Sequence, residues 1–206
     1  MAISSWRLDW FCLCPIDRLA EDGRHVTVDF PDLSVTVQNF RGGLRGFWNV
    51  CSHRGTKLRV AGCGHGLLRC PYHGWLYNAD GVPVGIPDND RQYGLDAAAR
   101  KALALRAITV ERLGRWVFAR IDLVGATLAD TLGDQAAFIA ASPAADDTLV
   151  GEPGSPTNGD ALTAPGFGNL RIRRQPGETL AEITLPAGEG GMVLSRFVFR
   201  ATSEAL

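Results

Sequence analysis

The chain places three of its five cysteines and three of its four histidines in one stretch, CSHRGTKLRVAGCGHGLLRCPYHGW, residues 51–75 of 206. Within it the spacing is Cys51-x-His53, sixteen residues, then Cys70-x-x-His73. Each half puts one thiolate and one imidazole on a short loop, so the fold must bring two separated loops to a common point. Gly55 and Gly74 follow the two histidines closely, where backbone has to turn tightly or approach a bound group. Pro71 stiffens the second loop, and Trp75 can screen one side of it from water. Two thiolates and two imidazoles suit zinc, which takes four such ligands in structural sites. They equally suit an iron–sulfur cluster in which histidines replace two cysteines on one iron.

Composition narrows the classes. Lys and Arg total 21 against 22 Asp and Glu, which provides no general basic field for nucleic acid. No apolar run approaches the roughly twenty residues of a membrane helix. The opening MAISSWRLDWFCLC has Arg7 and Asp9 inside its apolar part, which makes a poor secretory signal. Five cysteines in a chain of this length do not form an obvious disulfide framework, and a reducing cytoplasm is the expected setting. At 206 residues the chain can bury a core without staples.

Along the chain the pattern is mostly β. Val26, Val28 and Phe30 alternate with polar residues, as do Leu33, Val35 and Val37, with Pro31-Asp32 as the turn. Residues 44–50 and 67–70 read as further strands, NADG (78–81) as a hairpin turn, and 108–122 as two strands joined near Gly114. Helical signals are limited to 96–105 and 127–142. Between 142 and 169 the composition turns to Gly, Pro, Ala, Asp, Ser and Thr, which reads as a linker or long loop. NLRIRR, LAEITL and MVLSRFVF then read as strands. The expected organisation is a β domain over 1–125, a helical and Gly/Pro-rich connection over 126–169, and a short β-rich tail over 170–206.

The segments VCSHRGTKL, GCG and LRCPYHGWLYNADG, followed by ERLGRWVFARID, resemble the Rieske family over roughly residues 6–125. More narrowly they are similar to the N-terminal domain of the α-subunit of Rieske non-haem iron ring-hydroxylating oxygenases. The resemblance implies an all-β Rieske-type antiparallel β-sandwich with a small cluster-binding subdomain built from the two loops. It implies a [2Fe–2S] cluster, with Cys51 and Cys70 on the inner iron and His53 and His73 on the outer one. Neutral imidazoles in place of two anionic thiolates raise the reduction potential, into a range of about −150 to +300 mV. High-potential members carry a serine where this chain has Trp75, and a disulfide where it has Thr56 and Tyr72; Tyr77 alone matches a hydroxyl donor to the cluster. A low potential within the range follows.

The family implies a ferredoxin or flavin reductase as electron donor, and Arg54, Lys57, Arg59 and Arg69 could form a docking patch for it, against the plainer reading of a solvated face. Cys63 and His65 read as a surface turn, Cys12 and Cys14 as a partly buried N-terminal strand, and His25 as structural. A complete oxygenase of this family also holds a mononuclear Fe(II) on two histidines and a carboxylate. No histidine follows His73, so no such triad can come from residues 74–206, and the sequence after Ser142 shows no likeness to that catalytic domain. Three functions stay open: an electron-transfer component serving a separate catalytic oxygenase subunit, a truncated oxygenase α-subunit inactive alone, or a zinc-stabilised binding module.

Overall fold

The computed structural model describes residues 9–144, 147–151, 166–187 and 191–201. In chain order its elements are β1 (Phe11–Pro15), β2 (Arg24–Asp29), β3 (Ser34–Phe40), β4 (Gly43–Trp48), β5 (Gly62–His65), β6 (Leu76–Tyr77) and β7 (Pro83–Gly85). There follow α1 (Ala97–Ala102), β8 (Ala107–Leu113), β9 (Trp116–Arg120), α2 (Leu128–Leu132) and α3 (Gln135–Ala140). Last come β10 (Thr148–Gly151), β11 (Gly166–Phe167), β12 (Leu170–Gln175), β13 (Glu178–Ala187) and β14 (Gly191–Arg200). The all-β expectation holds. None of the described helices is long and apolar enough to cross a membrane.

Two compact units share the chain, one formed by Arg18–Thr109, the other by the N-terminal strand through Asp17 together with Val110 onward. They differ from the consecutive segments read from composition, because β1 pairs antiparallel with β9, more than a hundred residues downstream.

In the Arg18–Thr109 unit the strands lie in the order β4-β3-β2-β5. The β2–β3 hairpin sets Val26 opposite Val37 and Val28 opposite Val35, and its turn closes with Phe30 N–H donating to Leu33 O at 2.7 Å. The polar residues that alternate with these valines are buried as well, among them Thr27, Thr36 and Gln38. Their polar atoms are paired, Thr27 Oγ1 with Thr36 Oγ1 at 2.9 Å and Gln38 Nε2 with Gly66 O at 3.1 Å, which removes the cost of burial.

Two sequence expectations fail here. Residues 67–70 form no strand, only a single bridge between Arg69 and Leu76. The predicted surface turn GCGHG contains strand β5 instead, paired with β2 from Arg24–His65 to Thr27–Gly62. Gly64 makes that pairing possible: a Cβ there would lie 2.6 Å from His25 Nε2. The hairpin at 78–81 is as read, with Asn78 Oδ1 accepting from Asp80 N–H (3.0 Å) and Val82 N–H (2.9 Å), and Gly81 at φ 73°.

The other unit contains the β1–β9 pairing and a five-stranded sheet ordered β10-β14-β13-β12-β11. The predicted linker between 142 and 169 therefore yields strand residues at both ends, while 152–165 lie outside the described residues. Cys12 and Cys14 are wholly buried rather than partly so. Asn169 serves Cys12 as a strand neighbour would, its Oδ1 accepting from Cys12 N–H (2.8 Å) and its Nδ2 donating to Cys12 O (2.7 Å). The helix expected over 127–142 breaks in two at Gly133, which adopts φ 51°.

Candidate metal centre

Cys51–Thr56 and Cys70–Trp75 form the same six-residue turn twice. In the first, Gly55 N–H donates to Cys51 O (2.9 Å) and Cys51 N–H to Thr56 O (2.8 Å). In the second, Gly74 N–H donates to Cys70 O (3.1 Å) and Cys70 N–H to Trp75 O (2.8 Å). Both glycines sit in the left-handed region, at φ 72° and 73°, where an L-residue is strained. Each turn is closed by a one-residue β-bridge, Val50 with Lys57 and Arg69 with Leu76. A cysteine thus opens each turn, a histidine stands at its crest, and glycine reverses the chain.

Packing brings the two turns together. Phe47, Leu58, Leu68, Ile86 and Leu105 form one buried cluster with Cys51 and Cys70, both 2 % exposed. Burial pushes the Cys51 thiol up, and the nearby Cys70 thiol adds to this, while hydrogen bonds from Tyr77 and the His53 backbone oppose it. The histidines face each other at the outer end, with ring centroids 4.7 Å apart in an edge arrangement. Among the described residues no cysteine is disulfide-bonded. The four side chains group as a sulfur pair and an imidazole pair; among the described residues no three His, Cys, Asp or Glu side chains make a set that could hold one metal ion.

The surroundings of His53 are specific. Its ring stacks on Trp75 with centroids 4.7 Å apart and planes 2° from parallel. Tyr93 meets the same ring edge-on at 5.5 Å. His53 Nδ1 is buried and has no hydrogen-bond partner. A buried imidazole nitrogen left unpaired costs about 1–3 kcal/mol, a cost that a metal bound to it would remove. Desolvation holds the His53 imidazole below its usual range, with His73 and Arg54 adding to the effect. The donor set and this unpaired nitrogen fit a cluster with two thiolate and two imidazole ligands.

Tyr77 anchors the inner side. Its buried hydroxyl lies 3.0 Å from Cys51 Sγ, accepts from Ser52 N–H at 3.2 Å, and is 3.1 Å from Ser52 Oγ. Burial, then the contact with Cys51, raises its pKa well above that of free tyrosine. The sequence does not mark Tyr93: an aromatic in a polar segment, DNDRQYG, carries no local signal that it will reach a histidine forty residues away.

Other residues separate from the centre. Cys63 is exposed on β5, and His65 Nε2 lies 3.0 Å from Asp22 O. Arg59 is no docking cation: its Nη2 donates to Gln38 Oε1 at 2.6 Å, and burial lowers its pKa to about 10. Lys57 is engaged with Asp29 at 2.8 Å. Arg54 and Arg69 remain exposed beside the turns.

A fold of antiparallel strands presenting paired cysteine–histidine turns defines a metal-centre module with two thiol and two imidazole donors. Residues 9–107 match the Rieske [2Fe-2S] domain family, and this part of the chain is a Rieske domain, homologous to the large subunits of ring-hydroxylating oxygenases; the domain implies a [2Fe–2S] cluster. The N,N-dimethyl phenylurea N-demethylase subunit alpha of Sphingobium sp. (strain YBL2) is 34% identical over 104 residues, 50% of this chain and 23% of that protein. The large oxygenase component of the naphthalene 1,2-dioxygenase system of Ralstonia sp. is 31% identical over 135 residues, 64% of this chain and 30% of that protein. The chain thus spans less than a third of the length of these relatives.

Among solved structures, naphthalene 1,2-dioxygenase from Rhodococcus sp. bound to indole aligns with TM-score 0.62 and 25% identity over 89% of this chain and 50% of that one. The quaternary ammonium Rieske monooxygenase CntA in complex with gamma-butyrobetaine aligns with TM-score 0.69 and 18% identity over 97% of this chain and 70% of that one. Coverage of this extent takes in the described strands β12, β13 and β14, beyond the point where the sequence alone showed no likeness.

Proposed function

We propose that Cys51, His53, Cys70 and His73 hold the [2Fe–2S] cluster, with the thiolates on the inner iron and the imidazoles on the outer one. The observation that carries this reading is the duplicated turn, which pairs the two buried cysteines and leaves His53 Nδ1 buried and unpaired between aromatic rings. When bound, the cluster supplies a one-electron carrier. The chain's own residues exclude water from the sulfur side, orient the imidazoles and present the histidine edge outward. Its role is one-electron transfer in a ring-hydroxylating oxygenase system, with a ferredoxin or flavin reductase as donor and an aromatic or similar apolar compound as the final substrate. The aromatic compounds named for the naphthalene and dinitrotoluene dioxygenase relatives support that substrate class.

The mononuclear iron of such a system lies outside residues 1–206, on a separate oxygenase subunit or on the remainder of a longer α-subunit. The absence of histidine after His73 supports this. The test is iron and acid-labile sulfide analysis, followed by turnover with a reductase, NADH and added Fe(II). About two irons and two sulfides per chain are expected, with reduction of the centre and no hydroxylated product. Product formation coupled to dioxygen uptake would refute the placement of the second iron; zinc without sulfide would refute the cluster.

A further inference from the structure

The geometry points to Tyr93 as the positioning residue of His53: its hydroxyl accepts a hydrogen bond from Nε2 and thereby turns Nδ1 toward the iron. This inference rests on the ligand assignment above and adds a function for a residue outside the ligand motif. Tyr93 Oη lies 3.4 Å from His53 Nε2, a long bond. Its ring meets both His53 (5.5 Å, 88°) and Trp75 (5.6 Å, 89°) edge-on. With Trp75 stacked on one face of the imidazole and Tyr93 at its edge, the ring is constrained in plane and in rotation about that plane. A metal on Nδ1 leaves the ring proton on Nε2, which is then a donor, and a phenol oxygen is a suitable acceptor. Outer partners of this kind fix the tautomer of a ligating histidine and raise its basicity.

The segment carrying Tyr93 is built to hold it still. Residues Asn89–Tyr93 form a single π-helical turn between Asp88 (φ 52°) and Gly94 (φ 59°), both left-handed. Wide turns of this type concentrate at functional sites. Asn89 closes the turn three ways: its carbonyl accepts from Gly94 N–H at 2.6 Å, its Oδ1 from Leu95 N–H at 3.2 Å, and its Nδ2 donates to Leu95 O at 3.2 Å. The backbone irregularity thus places one aromatic hydroxyl, because a regular helix would move Tyr93 to a different face.

The experiment compares holoprotein with Tyr93→Phe, Tyr93→Ala and His53→Ala. Phe retains the ring edges and should fold, so it isolates the hydroxyl. Tyr93→Phe should lose iron to a chelator roughly tenfold faster. It should also show a higher reduction potential, because a less basic imidazole stabilises the oxidised iron less, and an altered imidazole nitrogen coupling in pulsed EPR. Tyr93→Ala should lose iron faster still. If Tyr93→Phe matches wild type in all three readouts while His53→Ala lacks the cluster, the positioning role is overturned and the ligand assignment stands. If His53→Ala keeps a wild-type cluster, the ligand assignment itself fails and the inference falls with it.

Discussion

Replacing Tyr77 with phenylalanine removes one oxygen from the most crowded polar point in the centre. That hydroxyl lies 3.0 Å from Cys51 Sγ and accepts from Ser52 N–H at 3.2 Å, and the residue is 3 % exposed, so water cannot readily replace it. The reduced centre carries more negative charge on its sulfurs than the oxidised one, and a donor to Cys51 Sγ therefore stabilises reduction. A hydrogen bond to a charged acceptor contributes about 1.5–3 kcal/mol. If about 1 kcal/mol of that is gained only on reduction, the potential of Tyr77→Phe falls by about 40 mV, since 59 mV corresponds to about 1.4 kcal/mol for one electron. The substitution also leaves Ser52 N–H without its acceptor, which costs roughly 1 kcal/mol at a partly exposed position. Protein-film voltammetry at neutral pH reads the first effect and thermal unfolding the second. Wild type should lie near the low end of about −150 to +300 mV, because Trp75 rather than a hydroxyl follows Gly74. A wild-type value well above zero, or a Tyr77→Phe potential equal to or above wild type, would refute the reasoning.

Cys70→Ser should abolish cluster incorporation and bleach the visible spectrum, because a neutral hydroxyl is a poor iron ligand, whereas Cys63→Ser, exposed on β5, should leave the spectrum unchanged. Gly55→Ala and Gly74→Ala should each cost roughly 1–2 kcal/mol in denaturant unfolding, since both force an L-residue to φ near +72° and neither Cβ meets a neighbour closer than 3.4 Å. Gly114→Ala should be far worse, because its Cβ would stand 2.2 Å from Ala140 O; a soluble yield and unfolding midpoint like wild type would contradict the packing of α3 there. Burial, with repulsion from Arg59 and then His65, lowers the His25 pKa from 6.5 to about 4. The unfolded chain then binds the extra proton first, so stability falls as pH drops from about 6.5 toward 4, by about 1–2 kcal/mol after allowance for the partly exposed ring. Unfolding of His25→Gln across that window should show a shallower acid loss, and an identical slope would count against it.

How far the sequence reached is clearest at the two turns. The form of the turns Cys51–Thr56 and Cys70–Trp75 was legible because a short loop's geometry lies in adjacent residues: a reversal that needs positive φ at Gly55 or Gly74, and a proline or aromatic to stiffen it. The hairpins at 31–32, 78–81 and 113–115 were legible for the same reason. Partners distant along the chain were not. Arg59 reads as a surface cation, and only the fold turns it inward against Gln38 and Gly66. GCGHG reads as a turn, and only its pairing with β2 makes it a strand. Asn169 has no local reason to bond Cys12, yet the topology sets it there. Tyr93 is the plainest case, since its value lies in an angle and a distance to His53 that a π-helical turn decides. Local sequence determines which chemistry a loop can offer, because turn geometry depends on a few consecutive residues. Which groups surround that chemistry depends on packing between remote segments, and that is settled only when the core closes.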